Sequence, residues 1–130
     1  MKRFFKSVLR LTLAAIWTVV VLILLIVPAT MVSSAGVPHA DKVAHFGVFA
    51  VLGLLWMAAL RRPIPQRSLF VFVGGVAFGI LTEYLQASHT AGRQGELGDV
   101  LADTLGLVAG IFAYRVLHRL RRAREPVEAG

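Results

Sequence analysis

Residues 11–32 read LTLAAIWTVVVLILLIVPATMV and contain no ionisable side chain. At about 1.5 Å of rise per residue, a helix of this length spans the roughly 30 Å hydrocarbon core of a bilayer. Three further mainly apolar segments follow, at residues 43–60, 69–87 and 99–117. Each is bounded by charged or helix-breaking residues, so the sequence predicts four transmembrane helices.

The composition favours the same class of protein. Of the 130 residues, 57% are hydrophobic and only 16% are charged, which is too apolar for a soluble domain of this size. The mean hydropathy of +0.73 excludes a disordered chain. The lack of cysteine excludes disulfides, thiolate metal sites and cysteine nucleophiles. We therefore predict an all-α membrane protein, a four-helix transmembrane bundle, with residues 1–130 forming a single domain.

The first apolar segment has an alternative interpretation as a cleaved signal peptide. Lys2, Arg3 and Lys6 precede it, and Ser33 and Ser34 follow it as small residues suited to cleavage. However, the apolar core of a signal peptide usually has about 7 to 15 residues, and this segment is longer. A retained transmembrane helix is therefore the better prediction.

The basic residues predict the orientation of the chain. The net charge is +7, but with four crossings all of the 14 Lys and Arg residues except Lys42 and Arg93 fall on one side. Short loops rich in Lys and Arg remain cytoplasmic, so we expect both termini and the basic tail at residues 118–130 to be cytoplasmic. The basic excess then reflects topology and attraction to anionic lipid, and we expect no nucleic-acid partner.

Polar residues within the apolar segments occur at one depth, near the predicted outer face. An ionisable group inside a bilayer is costly, so each one indicates either a function or a paired partner. Spacings of three or four residues put each pair on one helix face. The pairs are Asp41 and His45 on the second helix, Glu83 and Gln86 on the third, and Asp99 and Asp103 on the fourth.

Helices that turn their polar faces away from lipid would bring these side chains together around one outward-facing cleft. On the fourth helix, Gly106 and Gly110 continue the stripe begun by Asp99 and Asp103, and small residues allow close helix packing. Gly75 and Gly79 form a similar strip on the third helix. The sequence therefore predicts one site with two groups of residues, one for acid–base chemistry and one for binding a substrate. The candidates for acid–base chemistry are Glu83, His45, Asp99, Asp103 and Asp41, and the candidates for binding a substrate are Arg93, Lys42 and Gln86.

Each candidate also has a purely structural interpretation. His45 could be satisfied by pairing with Asp41, and Glu83 by a hydrogen bond to Arg93 or Gln86. Lys42 could extend its ammonium group to the membrane interface. A metal held by His45 and carboxylates is chemically feasible, but no ligand spacing supports it, and we predict neither a metal nor a cofactor.

Together these residues resemble the VanZ-like family of small bacterial membrane proteins, over about residues 41–110. The motifs that carry the resemblance are Asp41-Lys42-x-x-His45-Phe46, Glu83-Tyr84-x-Gln86, Gly92-Arg93, Asp99, and Asp103-Thr104-Leu105-Gly106-x-x-x-Gly110. The family is named for a protein linked to low-level teicoplanin resistance, so the resemblance implies a place in the bacterial cell envelope rather than a reaction. Asp103 stands where many members have Asn, which leaves open whether this position hydrogen-bonds or carries a proton.

Two functional hypotheses follow. In the first, the protein lies in the bacterial inner membrane as a multi-pass protein and binds or modifies an anionic or lipid-linked envelope compound, with a link to glycopeptide resistance. In the second, it is a non-enzymatic transport, proton-coupled or scaffold component. Four short helices can hardly enclose a pore, so the second hypothesis requires a homo-oligomer or another partner in the bilayer.

Overall fold

The structure is a computed structural model that describes residues 1–26, 40–89 and 97–124. Four helices occupy these ranges: α1 (Lys2–Ile26), α2 (Ala40–Ala59), α3 (Ile64–His89) and α4 (Leu97–Arg124). All four are long and apolar enough to cross a membrane. The prediction of an all-helical chain with four such helices is confirmed.

The helices extend beyond the predicted apolar segments. α3 begins at Ile64 rather than at residue 69, because Pro65 lies in the first turn, where a missing N–H costs no hydrogen bond. α1 begins at Lys2, and α4 continues to Arg124 because the leucine, alanine and arginine residues there favour helix. The predicted end of the first helix, the serine-containing turn after it and residues 125–130 lie outside the described residues.

The helices alternate in direction. The beginning of α2 contacts the beginning of α4, where Lys42 Nζ lies 3.2 Å from Asp99 Oδ1. The end of α1 contacts the end of α3, where the side-chain amide of Gln86 donates to the backbone carbonyl of Leu25. One end of the bundle therefore carries Lys42, His45, Glu83, Asp99 and Asp103, and we call it the polar end. The opposite end carries the first turns of α1 and α3 and is called the basic end.

α2 and α4 form the most extensive helix pair, although they are not adjacent in the chain. Glycines let their backbones meet: a Cβ at Gly106 would collide with the carbonyl of Phe46, and one at Gly110 with the carbonyl of Ala50. Gly53 on α2 faces the carbonyl of Leu107 in the same way. The predicted polar and glycine stripe of α4 is therefore the face that packs against α2.

The rest of the bundle is closed by apolar contacts and a few hydrogen bonds from α1. Phe49, Met57 and Leu107 are fully buried between the helices. The indole of Trp17 donates to the carbonyl of Val48 at 3.0 Å, which joins α1 to α2. Large apolar side chains such as Ile16, Val73 and Phe112 point outward and are more than half exposed, as a lipid-facing surface requires.

Candidate functional site

A buried histidine–carboxylate contact between α2 and α4 lies at the centre of the polar end. His45 Nδ1 lies 2.9 Å from Asp103 Oδ1, and each residue is only 2% exposed. Charges in an apolar interior are tolerated only when they are paired and hydrogen-bonded, so this contact holds both side chains in place. Because Nδ1 is occupied by Asp103, Nε2 is the ring nitrogen that can exchange a proton with a ligand.

An ion pair between Lys42 and Asp99 lies about one turn closer to the end of the same two helices. Lys42 Nζ is 3.2 Å from Oδ1 of Asp99, which is 5% exposed, and 3.9 Å from the carboxylate of the more exposed Asp41. The Lys42 side chain passes over Gly98, where a Cβ would lie 3.0 Å from its Cε atom. A glycine at this position therefore gives the lysine room to reach Asp99.

α3 adds a carboxylate to these two pairs. Glu83 is 9% exposed and lies within electrostatic range of His45, as Asp103 and Asp99 do. The neighbouring Thr82 is buried, and its hydroxyl donates to the carbonyl of Gly79 at 2.8 Å. A third acidic side chain from a third helix therefore belongs to the same electrostatic cluster.

One carboxylate oxygen of Asp103 is hydrogen-bonded within the described residues and the other is not. Oδ1 contacts His45, whereas the buried Oδ2 has no hydrogen-bond partner among the described residues. Oδ2 lies beside α3, where a Cβ at Gly79 would be 3.2 Å from it and 3.4 Å from the ring of Phe49. A buried acceptor without a partner is costly in a native protein, so this oxygen marks a point where a proton or a ligand donor would be stabilised.

The structure brings five of the predicted site residues together at the polar end: His45, Lys42, Glu83, Asp99 and Asp103. Asp41 is more exposed and lies beside Lys42 at the edge of this cluster. Gln86 is buried and donates to α1. Arg93 lies outside the described residues.

Some of the predicted pairings are different. His45 hydrogen-bonds to Asp103 on α4, which is not the partner that its spacing from Asp41 suggests. The spacing places Asp41 and His45 on one face of α2. However, α4 packs so closely against α2 that the carboxylate of Asp103 contacts the imidazole ring. The ammonium group of Lys42 is likewise held by Asp99 instead of extending into solvent.

Other residues near the site were not identified from the sequence. Gly79 was assigned only a packing role, yet its missing side chain leaves the space beside Asp103 Oδ2. Thr82 precedes Glu83 in the chain, and this adjacency is the one signal that could have drawn attention to it. Within the part of the chain that the structure describes, no group of three or more His, Asp or Glu residues could hold a metal ion.

An apolar cleft of about 390 Å³ begins about one turn below the polar cluster. All four helices contribute to it, and its lining includes Thr18, Trp56, Gly74, Phe78 and Leu107. Phe78 packs against Phe49, with ring centroids 6.0 Å apart, and Leu107 follows Asp103 by one turn of α4. The cleft therefore adjoins the layer of side chains that supports the polar cluster.

Comparison with known proteins identifies the family but no individual relative. The family model described as VanZ/LLP1 matches residues 2–118, which covers α1, α2, α3 and most of α4. No curated protein and no solved structure matches the chain. The match covers most of the chain and agrees with the four membrane-spanning helices, so this multi-pass membrane protein belongs to the VanZ-like family.

Proposed function

We propose that this protein binds or modifies a lipid-linked compound of the bacterial cell envelope, near the outer face of the inner membrane. The observation that carries the proposal is the buried His45–Asp103 pair, with Glu83 beside it, at one end of a bundle that also has an apolar cleft. The polar cluster offers hydrogen bonds and proton exchange to a head group. The apolar cleft offers space for part of a hydrocarbon chain.

His45 and Asp103 are the central groups in this proposal. Asp103 orients the imidazole ring through Nδ1, and His45 then uses Nε2 as an acid or base towards the ligand. A hydrogen-bond donor on the ligand would satisfy Asp103 Oδ2, which supports binding of a head group that carries hydroxyl or amide groups.

An anionic group on the ligand requires a rearrangement of Lys42. The ammonium group of Lys42 is held by Asp99 and lies near Asp41, so an anion has to displace a carboxylate in order to bind it. Arg93 is the second cation proposed for this role. Capture of such a compound at the outer leaflet would change the supply of targets for glycopeptide antibiotics, and we therefore expect an effect on teicoplanin susceptibility.

Binding can be tested on the purified full-length chain in lipid nanodiscs that contain a lipid-linked peptidoglycan precursor. We expect saturable binding that falls at least tenfold in His45→Ala and Glu83→Gln, because each variant removes a polar contact worth about 1.4 kcal/mol or more with a charged group. Tyr84→Phe is the matched control on α3, since Tyr84 is adjacent to Glu83 but 69% exposed. Bacteria that carry the same variants should show the corresponding order of teicoplanin susceptibility.

The proposal fails if the wild-type chain does not bind the precursor above the level of empty nanodiscs. It also fails if Tyr84→Phe reduces binding as much as the two site variants do. Membrane abundance and helical content of each variant should be measured in parallel, so that loss of binding is separated from loss of the folded protein.

A second function, a non-enzymatic proton-coupled or scaffold component, is favoured by the balance of charges. The described residues at the polar end carry four carboxyl groups, from Asp41, Glu83, Asp99 and Asp103, against Lys42 and His45. An excess of buried acid suits proton exchange better than capture of an anion. If a His45→Leu and Asp103→Leu double variant keeps both stability and envelope phenotype, the cluster serves only to hold α2 and α4 together.

A further inference from the structure

A second cleft, of about 290 Å³, lies at the basic end of the bundle. All four helices or their connections contribute to it. We call it the basic cleft. Four of its nine lining side chains are cationic, namely Lys6, Arg10, Arg61 and Arg67. The cleft lies far from the site described above, since Ala59 and Lys42 are about 25 Å apart along α2 at 1.5 Å per residue.

Arg67 forms a fixed wall of the basic cleft. Its Nη1 atom donates to the carbonyl of Met57 at 2.7 Å and to the Tyr114 hydroxyl at 2.8 Å. Its Nε and Nη2 atoms donate to the carbonyl of Arg62 at 3.1 and 2.7 Å. Arg67 therefore joins the α2–α3 connection to α4, and it contributes charge while its donors are used within the protein.

Lys6 and Arg10 have a different environment. They lie four residues apart on α1, so their side chains share one face of the helix. Neither forms a salt bridge with an acidic residue in the described ranges 1–26, 40–89 and 97–124. Like charges held side by side in one cleft repel each other, and an anionic ligand between them would relieve that repulsion.

The residues around Lys6 and Arg10 indicate that such an anionic ligand belongs to the membrane. Ala58, Ala59 and Leu60 give the basic cleft an apolar side. The exposed Phe4 and Phe5 directly precede Lys6 on α1. Aromatic and basic residues at the end of an apolar span are typical of the depth at which phospholipid head groups lie. Guanidinium and ammonium groups are the usual protein ligands of phosphate.

We propose that the basic cleft binds the phosphate group of an anionic phospholipid. Lys6 and Arg10 contact the phosphate, and Arg61 and Arg67 add positive charge around it. The proximal part of the lipid tails lies against the apolar side of the cleft. This site is separate from the proposed envelope-compound site and does not depend on it.

The test is native mass spectrometry of the purified full-length chain, released from detergent after incubation with phosphatidylglycerol or with phosphatidylcholine. We expect retained phosphatidylglycerol in clear excess over phosphatidylcholine. The Lys6→Gln and Arg10→Gln double variant should lower the phosphatidylglycerol affinity about tenfold or more, the size expected when two basic contacts with an anionic head group are removed. A Lys6→Arg and Arg10→Lys double variant preserves the charge and should retain the lipid.

The matched control is the double variant Arg115→Gln and Arg119→Gln. These two arginines are exposed, are also four residues apart, lie on α4 and do not line the basic cleft. Equal loss of phosphatidylglycerol in both glutamine variants would overturn the proposal, because it would show general attraction to a basic surface. Displacement of the lipid by millimolar inorganic phosphate would also overturn it, because the cleft would then be a site for soluble phosphate.

Discussion

Replacement of Gly106 or Gly110 by alanine should separate α2 from α4. The added methyl group at Gly106 would occupy the position of the Phe46 carbonyl, and the one at Gly110 that of the Ala50 carbonyl. At Gly110 the amide nitrogen of Leu54 is also only 2.9 Å away. These atoms belong to the backbone and cannot rotate aside, so the helices themselves have to move.

The size of the effect follows from two opposing terms. Overpacking a well-packed interior costs about 1–3 kcal/mol, and contact with rigid backbone favours the upper limit. Replacing glycine by alanine within a helix returns about 1 kcal/mol of helix propensity. We therefore expect each variant to lose about 2 kcal/mol of unfolding free energy. The loss should be accompanied by lengthening of the His45–Asp103 contact, because Gly106 follows Asp103 by one turn.

Gly47→Ala and Gly74→Ala are the matched controls, since a Cβ at either position would have no atom within 4 Å. They should gain up to about 1 kcal/mol from helix propensity alone. The assay is reversible unfolding in mixed micelles by titration with sodium dodecyl sulfate, followed by circular dichroism. If Gly106→Ala and Gly110→Ala unfold at the same point as the controls, α2 and α4 do not meet through these glycines and the described packing is incorrect.

Three further predictions concern individual polar contacts. Asp103→Leu alone should destabilise the protein by about 3–5 kcal/mol, because it leaves His45 buried without its partner. Adding His45→Leu should recover much of that loss. The same unfolding titration measures both variants, and additive losses of unfolding free energy would contradict the pairing. Arg67→Lys should cost about 1–3 kcal/mol, because a lysine cannot replace the hydrogen bonds to the two carbonyls of Met57 and Arg62 and to the Tyr114 hydroxyl. Thermal aggregation in detergent would detect the loss. Thr18→Val removes the hydroxyl that accepts a hydrogen bond from the Trp56 indole at 3.0 Å. The variant should lose about 0.6–1.7 kcal/mol of unfolding free energy and change the tryptophan fluorescence. An unchanged spectrum would argue against that contact.

The sequence was sufficient to predict the helices and the end of the bundle that is polar. An uninterrupted apolar run has few structural alternatives in a chain of this composition, and charges within apolar segments have to face protein. The position of Glu83 after a long apolar segment, and the spacing of Asp99 and Asp103, therefore predict that these side chains lie at the same end of the bundle.

The partners within the cluster could not be predicted in the same way. A spacing of four residues places Asp41 on the same face of α2 as His45, but it does not say how close a second helix comes. The choice of Asp103 depends on contact between the α2 and α4 backbones at Gly106 and Gly110. The basic cleft could not be predicted for a similar reason, because Lys6 and Arg67 are distant in sequence and indicate only topology and a general attraction to anionic lipid.

The pairing of α2 with α4 also constrains the order in which the protein can be completed during membrane insertion. Lys42 and His45 enter the bilayer with α2, but their nearest carboxylate partners, Asp99 and Asp103, arrive only with the last helix. Until then, an inserted chain that ends after α3 has to keep these groups uncharged, hydrated, or covered by a helper protein. Nascent chains of this protein should therefore depend on an insertase for longer than their hydrophobicity suggests.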